Sequence, residues 1–332
     1  MLPKIQVESV RRVYNDGNHN AFTDLCRFQD RFYLTFRSCP EGHMIFDSSE
    51  ILVLASKDAQ EWEIVFRFGV PDRDVRDPHF LIFQSKLFVY TGTWLVGPEA
   101  PRSGDLNDHL GYCAWTEDGI HWQGPRALEG TKGHYIWRAA AYKDTAYLCG
   151  RRKRGFAHTS SREEAMALTE AALLGSPDGF SWHTVGLFLE SYGDETAFLF
   201  EDDGSILAIV RGRLFYTSTA TLCRAAPPYQ KWIRRKLNVN IGGPLLAKWG
   251  DLYLVGGREA PDPEHARTVL YWLENDQLIK AAELPSGGDN SYPGFVALSP
   301  ERGLLSYYSS HEGSGTALPP SAIYLAELSL QK

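Results

Sequence analysis

Short apolar runs separated by polar turns recur along this chain, and the runs come in pairs. Each pair consists of an apolar run, a polar turn and a second apolar run, as in residues 21–37. Such runs, bounded by turn residues, are typical of β-strands joined in hairpins. Six pairs begin near residues 21, 77, 135, 194, 240 and 291 and nearly exhaust the 332 residues. The pattern therefore predicts six repeats of about 55 residues each.

A second repeated feature follows the early pairs, an apolar run that ends in S/T-x-D-(G/A)-x-x-W. Its three copies end at Trp62, Trp122 and Trp182, at intervals of 60 residues. An Asp in a turn accepts hydrogen bonds from turn amides and the Trp covers the junction, so each copy predicts a hairpin. Each repeat then supplies two inner and two outer strands, as in a propeller blade. We therefore predict an all-β fold, a six-bladed β-propeller of four-stranded antiparallel blades.

Three remaining segments complete this architecture. Residues 322–330 are predicted to form an outer strand of blade six, and residues 5–14 to pair beside them, closing the ring and removing an open sheet edge. Residues 160–172 are strongly helix-prone, with a capping box at Ser160 or Ser161, and are interpreted as a short helical insertion before an outer strand of blade three. Because no shift in composition marks a linker, we expect residues 1–332 to form a single domain.

Composition narrows the possible functions. The chain has 34 basic and 41 acidic residues, a net charge of -7, and so lacks the electrostatic character of a nucleic-acid binder. Its five cysteines include no CxxC pair, and neither an HExxH motif nor a dinucleotide fingerprint occurs, so we expect no metal and no cofactor. Neither a signal peptide nor an apolar run long enough to span a membrane is visible. We expect a cytoplasmic protein without a membrane partner, although a mature secreted protein would look the same; the oligomeric state stays open.

The Asp–Trp hairpins resemble the Asp-box (BNR) repeats of the sialidase superfamily, whose members are six-bladed propellers. The usual box reads S-x-D-x-G-x-x-W, and the version here is one residue shorter. These boxes lie on outer hairpins, so they bear on fold and not on activity. A more specific resemblance lies in the later blades. Glu195 and Arg211 in blade four, Arg258 in blade five and Tyr292 in blade six follow the family's order of Glu, Arg, Arg and Tyr.

The resemblance implies an exo-acting glycoside hydrolase, with an anionic sugar as the expected substrate. Tyr292 would be the nucleophile and Glu195 its base, since a neutral phenol does not repel an anionic sugar as a carboxylate would. Arg211 and Arg258 would bind the sugar's carboxylate through paired hydrogen bonds. Asp77 is the candidate acid/base, because a carboxyl group must protonate the leaving oxygen.

The first blade departs from the family pattern. Sialidases begin it with an Arg-Ile-Pro element that supplies an arginine, whereas residues 19–22 here read His-Asn-Ala-Phe. A related acidic sugar, or another glycoside, therefore fits as well as sialic acid. Polar residues that bracket the inner strands of blades one to three complete the predicted substrate-binding set: Asp24, Arg37, Arg76, His79 and Arg138.

Three alternatives remain open from the sequence. Five-bladed inverting glycosidases carry an Arg-Asp-Pro element that looks like residues 76–78, and such an enzyme would use Asp24, Asp77 and Glu195. A polysaccharide lyase would use the same tyrosine and arginines to remove a proton beside a uronate carboxylate. A non-catalytic carbohydrate-binding propeller would use the same funnel without turnover. Six repeats count against the first alternative, and charged residues at nearly every inner-strand boundary count against the last. A carbohydrate is the expected partner in every case.

Overall fold

The computed structural model describes residues 2–96, 105–214, 217–262 and 264–331. Within these ranges, twenty-four strands form six antiparallel sheets of four strands each. The sheets are arranged in a ring as the blades of a propeller, so the predicted six-bladed architecture is confirmed. In blades one to five the first strand along the chain is the innermost strand of its sheet. In blade six the innermost strand begins at Asn290, and the N-terminal strand is the outermost.

The strands follow one another blade by blade along the chain. Blades one and two contain β2 (His19–Phe28), β3 (Arg31–Cys39), β4 (Glu50–Ser56), β5 (Glu63–Phe68), β6 (Arg73–Phe83), β7 (Lys86–Leu95), β8 (Leu110–Thr116) and β9 (Trp122–Ala127). Blades three and four contain β10 (Tyr135–Tyr142), β11 (Thr145–Lys153), β12 (Thr169–Ser176), β13 (His183–Leu189), β14 (Thr196–Phe200), β15 (Ile206–Val210), β16 (Thr221–Ala225) and β17 (Ile233–Lys236). Blades five and six contain β18 (Gly242–Trp249), β19 (Leu252–Glu259), β20 (Arg267–Glu274), β21 (Gln277–Leu284), β22 (Asn290–Ser299), β23 (Arg302–Ser309), β24 (Ala322–Gln331) and β1 (Lys4–Tyr14).

The two ends of the chain close the ring within blade six. Strand β1 pairs antiparallel with β24, from Lys4 opposite Gln331 to Tyr14 opposite Ile323. The indole of Trp272 in blade five also donates to the carbonyl oxygen of Pro3 at 2.8 Å. The predicted pairing of the N-terminal and C-terminal runs is therefore confirmed, and β24 does not present an open edge.

The outer strands of the first three blades are joined by turns built around an aspartate. The Asp58 carboxylate accepts hydrogen bonds from the backbone amides of Gln60 and Glu61, at 2.8 and 3.3 Å. Asp118 and Asp178 make the same pair of bonds to the amides two and three residues further on. Local side-chain to backbone bonds of this kind fix a turn without help from the rest of the fold.

The helix-prone run before β12 is helical only in its first part. Helix α1 (Arg162–Leu168) begins after Ser161, whose hydroxyl accepts from the amide of Glu164 at 3.1 Å. The Glu164 carboxylate reaches back and accepts from the Ser160 amide at 2.8 Å, so the predicted capping box forms at Ser161 with its return bond one residue before the N-cap. Residues 169–172 belong instead to β12, where all four are buried against β11. Burial in the sheet thus overrides the helix propensity of this segment.

The core lies between neighbouring blades, where the apolar faces of adjacent sheets pack together. The largest cluster connects several blades and includes Phe36, Trp137, Phe188 and Tyr308. All five cysteines are unpaired, and four of them are buried. Among helices in the described ranges, none combines the length and apolar character that crossing a membrane requires.

Candidate active site

A β-bulge interrupts the innermost strand near its start in five of the six blades, counted over the described strands. At each bulge two residues oppose one on the neighbouring strand, at positions 22–23, 77–78, 137–138, 243–244 and 292–293. In blade four β14 instead starts directly after Glu195, whose carbonyl oxygen accepts from the Arg211 amide at 2.9 Å. Because bulges re-aim the residues they contain, this repeated feature turns residues of five blades toward the shared centre.

Three of the five bulges hold a non-glycine residue in a strained backbone conformation. Phe22, Asp77 and Tyr292 adopt left-handed conformations, with φ of 64°, 48° and 51°. Such a conformation costs on the order of 1–3 kcal/mol for a non-glycine residue and clusters at functional sites. Gly243 has the same conformation, with φ of 56°, and a Cβ there would lie 2.6 Å from the Tyr292 ring. Only glycine therefore permits the blade-five bulge to approach Tyr292 this closely.

Tyr292 and Glu195 form a hydrogen-bonded pair between blades six and four. The phenol Oη donates to Glu195 Oε1 at 2.6 Å, while Glu195 Oε2 accepts from Arg211 Nη1 at 2.8 Å and from the Gly243 amide at 2.9 Å. The two side chains are nearly buried, since Tyr292 is 5% and Glu195 is 7% exposed. Burial, and next the Glu195 charge, raise the pKa of Tyr292 well above its usual value. The phenol is therefore protonated and already directed at the group that would take its proton.

Asp77 lies in the same funnel with one carboxyl oxygen engaged. Its Oδ2 accepts from the phenol of Tyr135, whereas its buried Oδ1 has no hydrogen-bond partner among the described residues. Burial, and next the charge of Glu195, raise the pKa of Asp77 to about 6. A carboxyl group with such a pKa can hold a proton near neutral pH, and its unpartnered oxygen is able to meet a ligand.

Asp194 holds three arginines beside this pair. Arg211 donates from Nε and Nη2 to Asp194 Oδ2, at 3.0 and 2.8 Å, and Arg213 lies 3.1 Å from Oδ1. Arg151 also donates to Oδ1. Burial alone would raise the pKa of Asp194, but the charges of Arg211, Arg151 and Arg213 hold it well below its usual value. This fixed carboxylate orients Arg211, which in turn orients Glu195.

A second carboxylate, that of the partly buried Asp289, orients Arg258. Arg258 Nη1 and the phenol of Tyr308 donate to Asp289 Oδ1, at 3.0 and 2.8 Å. His19 Nε2 and His43 Nδ1 lie 2.9 and 2.6 Å from Oδ2. The Arg258 guanidinium is 5.8 Å from the centre of the Tyr292 ring. Arg258 is therefore held next to the phenol, where its charge would stabilise a phenolate.

His19, His43 and Asp289 also form a group whose ligand atoms lie within 4.8 Å of one another, as a metal site would require. Arg37 Nη1, however, lies 3.2 Å from His19 Nδ1. A guanidinium can only donate, so Nδ1 accepts and Nε2 carries the ring proton toward Asp289. Burial also lowers the pKa of His19 to about 4, which keeps the ring neutral. The chemistry of this group thus favours a hydrogen-bond network over metal binding.

Arg37 and Arg76, two of the sequence-based candidates, share the buried carboxylate of Asp74. Arg37 donates to Asp74 Oδ1 from Nε and Nη2, at 3.0 and 2.7 Å, and to the Gly42 and Met44 carbonyl oxygens. Arg76 Nε donates to Asp74 Oδ2. Arg37 is 0% exposed, whereas Arg76 is 9% exposed. The guanidinium of Arg37 therefore has no surface that meets solvent, and it is linked to Arg76 through Asp74.

Asp24, His79 and Arg138 lie within the ring of inner strands. Arg138 donates to the carbonyl oxygens of Pro244 and Pro293, at 2.9 and 2.8 Å, and so connects blade three to the bulges of blades five and six. Its Nη1 is 3.5 Å from Asp24 Oδ1, and His79 Nδ1 is 3.5 Å from Asp24 Oδ2. Burial, and next the charge of Arg138, lower the pKa of His79 to about 4, so that it is neutral at pH 7. Arg138 thus supports the bulges that present Gly243 and Tyr292, and Asp24 lies between Arg138 and His79.

Several residues of the funnel are not among the sequence-based candidates. They are Phe22, Asp74, Tyr135, Trp137, Arg151, Asp194 and Asp289. One local signal would have located three of the five bulges. Proline follows the bulged residue at positions 78, 244 and 293, and proline inside a predicted strand marks a bulge or an edge.

No protein-family model and no curated protein sequence matches the chain. Solved structures match throughout its length. A protein of unknown function from Dyadobacter fermentans has a TM-score of 0.77 at 17% identity, with coverage of 99% of this chain and 100% of that one. A Trypanosoma rangeli sialidase in complex with the inhibitor DANA has a TM-score of 0.69 at 11% identity, with coverage of 97% of this chain and 58% of that one. A Hadza microbial sialidase has a TM-score of 0.70 at 13% identity, with coverage of 94% and 66%.

This chain has a sialidase-like propeller fold. The identities of 11–17% are low, so the similarity concerns the fold and not the activity. The chain also spans only 58% of the Trypanosoma rangeli sialidase. The resemblance first suggested by the Asp–Trp hairpins is thereby supported at the level of the six-bladed fold.

Proposed function

We propose that this protein is a sialidase-like, exo-acting glycoside hydrolase with Tyr292 as nucleophile, Glu195 as its base and Asp77 as acid/base. The observation that carries the proposal is the 2.6 Å hydrogen bond from the buried Tyr292 phenol to Glu195. A phenol is a weak nucleophile unless an adjacent base accepts its proton, and Glu195 is held in position for that task. The carboxyl of Asp77, whose pKa is about 6, supplies the required acid.

In the first step, the Tyr292 oxygen attacks the anomeric carbon while its proton passes to Glu195. Asp77 protonates the glycosidic oxygen as the bond to the leaving group breaks. In the second step, the Asp77 carboxylate takes a proton from water, and the water oxygen replaces Tyr292 at the anomeric carbon. The phenolate recovers its proton from Glu195. Two displacements at one carbon predict retention of configuration.

Arg211 and Arg258 would serve both the phenolate and the substrate. Each is partly open to solvent, with side-chain exposures of 15% and 16%. Guanidinium groups fixed by Asp194 and Asp289 are preorganised to bind a carboxylate on the sugar, which supports an anionic substrate. The similar Trypanosoma rangeli fold has been solved in complex with sialic acid, an acidic sugar.

The raised pKa of Tyr292 favours a hydrolase over a lyase. A lyase would need the tyrosine oxygen as the base that removes a carbon-bound proton, and this requires its phenolate in the resting enzyme. Burial and the neighbouring Glu195 charge disfavour that phenolate. In the hydrolase, the phenol loses its proton only as the bond to the sugar forms.

The test is a panel of aryl glycosides, neutral and carboxylated, with release of the aryl alcohol followed over time. We expect turnover of at least one glycoside and a retained anomer in the first product seen by NMR. Tyr292→Phe and Glu195→Gln should abolish turnover. Tyr307→Phe, which removes a buried phenol of the same blade that bonds the Pro285 carbonyl oxygen, should not. Turnover of none of the glycosides, or an unsaturated ultraviolet-absorbing product from uronates, would refute the proposal.

A further inference from the structure

A cleft of about 450 Å³ opens beside Arg211, between the end of β13 in blade three and the outer part of blade four. Its lining includes Leu189, Tyr192, Arg213 and the last three residues of the edge strand β17, Arg234, Arg235 and Lys236. Arg211 belongs to both the cleft and the candidate active site. The cleft thus begins two hydrogen bonds from the Tyr292 phenol, through Glu195 and Arg211.

The charge of this cleft differs from that of the protein as a whole. Five lining residues are cationic and none is a carboxylate, among the residues the structure describes there. Lining cations form ion pairs with four carboxylates, and two further arginines pair with these carboxylates, so the whole group contains seven cations and four carboxylates. The cations are Arg151, Arg211, Arg213, Arg224, Arg234, Arg235 and Lys236, and the carboxylates are Glu190, Asp194, Glu195 and Asp276. The chain carries a net charge of -7. A positive cleft on such a protein concentrates anions next to the active site.

Two of these cations are held mainly by neutral groups. Arg234 donates to the backbone carbonyl oxygens of Phe188 and Leu187, at 2.7 and 3.0 Å, and lies 3.4 Å from the exposed Glu190. Lys236 Nζ donates to the hydroxyl of Thr221 at 3.1 Å. Carbonyl and hydroxyl partners fix a side chain without cancelling its charge. Both cations are therefore oriented yet still able to attract an anion.

We propose that this cleft binds an anionic group, a sulfate or a carboxylate, on a sugar unit next to the one held at Tyr292. Tyr192, which is 42% exposed, offers a ring face for the neighbouring sugar. The inference that the cleft binds the sugar unit next to the one at Tyr292 rests on the proposed function. The inference that the cleft prefers anions rests only on the charges of its lining. The substrate class would thus be an acidic oligosaccharide with negative charge on more than one unit.

The experiment measures binding by titration calorimetry in the Tyr292→Phe variant, where turnover does not interfere. The probes are N-acetyllactosamine, the same disaccharide with a 6-O-sulfate, and a glucuronate-containing disaccharide. We expect at least one anionic probe to bind about tenfold more tightly than the neutral one, with a preference that weakens as salt is added. The two anionic probes distinguish sulfate from carboxylate recognition.

The matched variants are Arg234→Gln with Lys236→Gln, and Lys231→Gln as control. Lys231 is an exposed cation of the same blade that lines a different cleft. The double variant should lose the anionic preference, and the control should keep it. Equal affinity for all probes, no binding of any probe, or a preference that survives the double variant would each overturn the proposal. Anion preference without turnover of any glycoside by the wild type would refute the hydrolase instead and leave the cleft standing.

Discussion

The Tyr292 Oη and Glu195 Oε1 atoms lie 2.6 Å apart, although their residues are almost a hundred positions apart and belong to blades that are not neighbours. The pair exists because the bulge at Tyr292 and the start of β14 bring both side chains to the centre of the ring. The amide of Gly243, from the blade between them, completes the contact at 2.9 Å. Three successive blades are therefore needed to assemble one hydrogen-bonded pair.

Removing the phenol oxygen should abolish turnover and leave the fold intact. In Tyr292→Phe we expect kcat to fall by on the order of a thousandfold or more, with KM little changed. Glu195 Oε2 keeps its bonds to Arg211 and Gly243, but Oε1 loses its donor, so the stability cost should be about 1–3 kcal/mol. Steady-state kinetics and a thermal melt of the same preparation check both expectations. Activity that survives the substitution would exclude Tyr292 as nucleophile.

The proton on Asp77 should set the alkaline limit of activity. The general acid works only when protonated, and the pKa of Asp77 in the unliganded protein is about 6. We therefore expect kcat/KM to fall as pH rises through about 6, and Asp77→Asn to lose this limb together with most of its activity. A glycoside with a very acidic leaving phenol needs no protonation, so it should restore the first step in Asp77→Asn. A pH profile unchanged by the substitution would argue against this role.

The same raised pKa makes Asp77 destabilising when it is ionised. Its folded pKa of about 6 exceeds the ordinary value of 3.8, so the stabilising contribution of the protonated form is present below pH 4 and is lost between pH 4 and 6. The free energy of unfolding of Asp77→Asn, relative to that of the wild type, should therefore be higher at pH 8 than at pH 4 by up to ~3 kcal/mol. Denaturant unfolding of both proteins at the two pH values measures this difference. No pH-dependent gain would show that the buried carboxyl is not strained by its charge.

Substitution of Arg37 should lower the free energy of unfolding and should not act mainly through substrate affinity. Arg37→Met removes one of the two guanidiniums from the buried Asp74, so we expect a loss of about 3–5 kcal/mol in the free energy of unfolding. Arg27→Met, at an exposed arginine of the same blade, should change it by less than ~0.5 kcal/mol. A rise in KM at unchanged melting temperature would instead support direct contact between Arg37 and the substrate.

Removal of the N-terminal strand should open the ring. Deletion of residues 2–14 exposes the paired edge of β24, and we expect a lower melting temperature and aggregation in light scattering. As a control, a short Gly-Ser linker can replace α1, which contains no buried residue. Replacement of α1 should lower the melting temperature much less than deletion of the strand does. An unchanged melt after the strand deletion would mean that closure by β1 contributes little to stability.

The fold could be predicted from the sequence because each blade is built mostly from neighbouring segments. Strand pairs, turns and the Asp–Trp hairpins are local patterns, and their repetition fixes the blade count. The pairing of β1 with β24 could be predicted because an open sheet edge would otherwise remain. The end of α1 at Leu168 could not be predicted, because the Ala-rich residues after it form a strand only through burial against β11.

The candidate site was predictable only in part. Glu195 and Tyr292 were singled out in order along the chain, and the structure brings them into contact. The carboxylates that orient the arginines, Asp194 and Asp289, carry no pattern of their own in the sequence. Nor does the sequence reveal that Arg37 is completely buried, because Asp74 reaches it from the next blade.

The repeated bulge also bears on how such a ring can acquire new chemistry. The bulges at Phe22, Asp77 and Tyr292 have the same backbone arrangement, and each one forms within the first pair of strands of its own blade. An ancestor made by copying one blade would have shown the same side chain at every such position. Point mutations could then have diversified the centre one blade at a time, which separates the evolution of the reaction from the evolution of the scaffold.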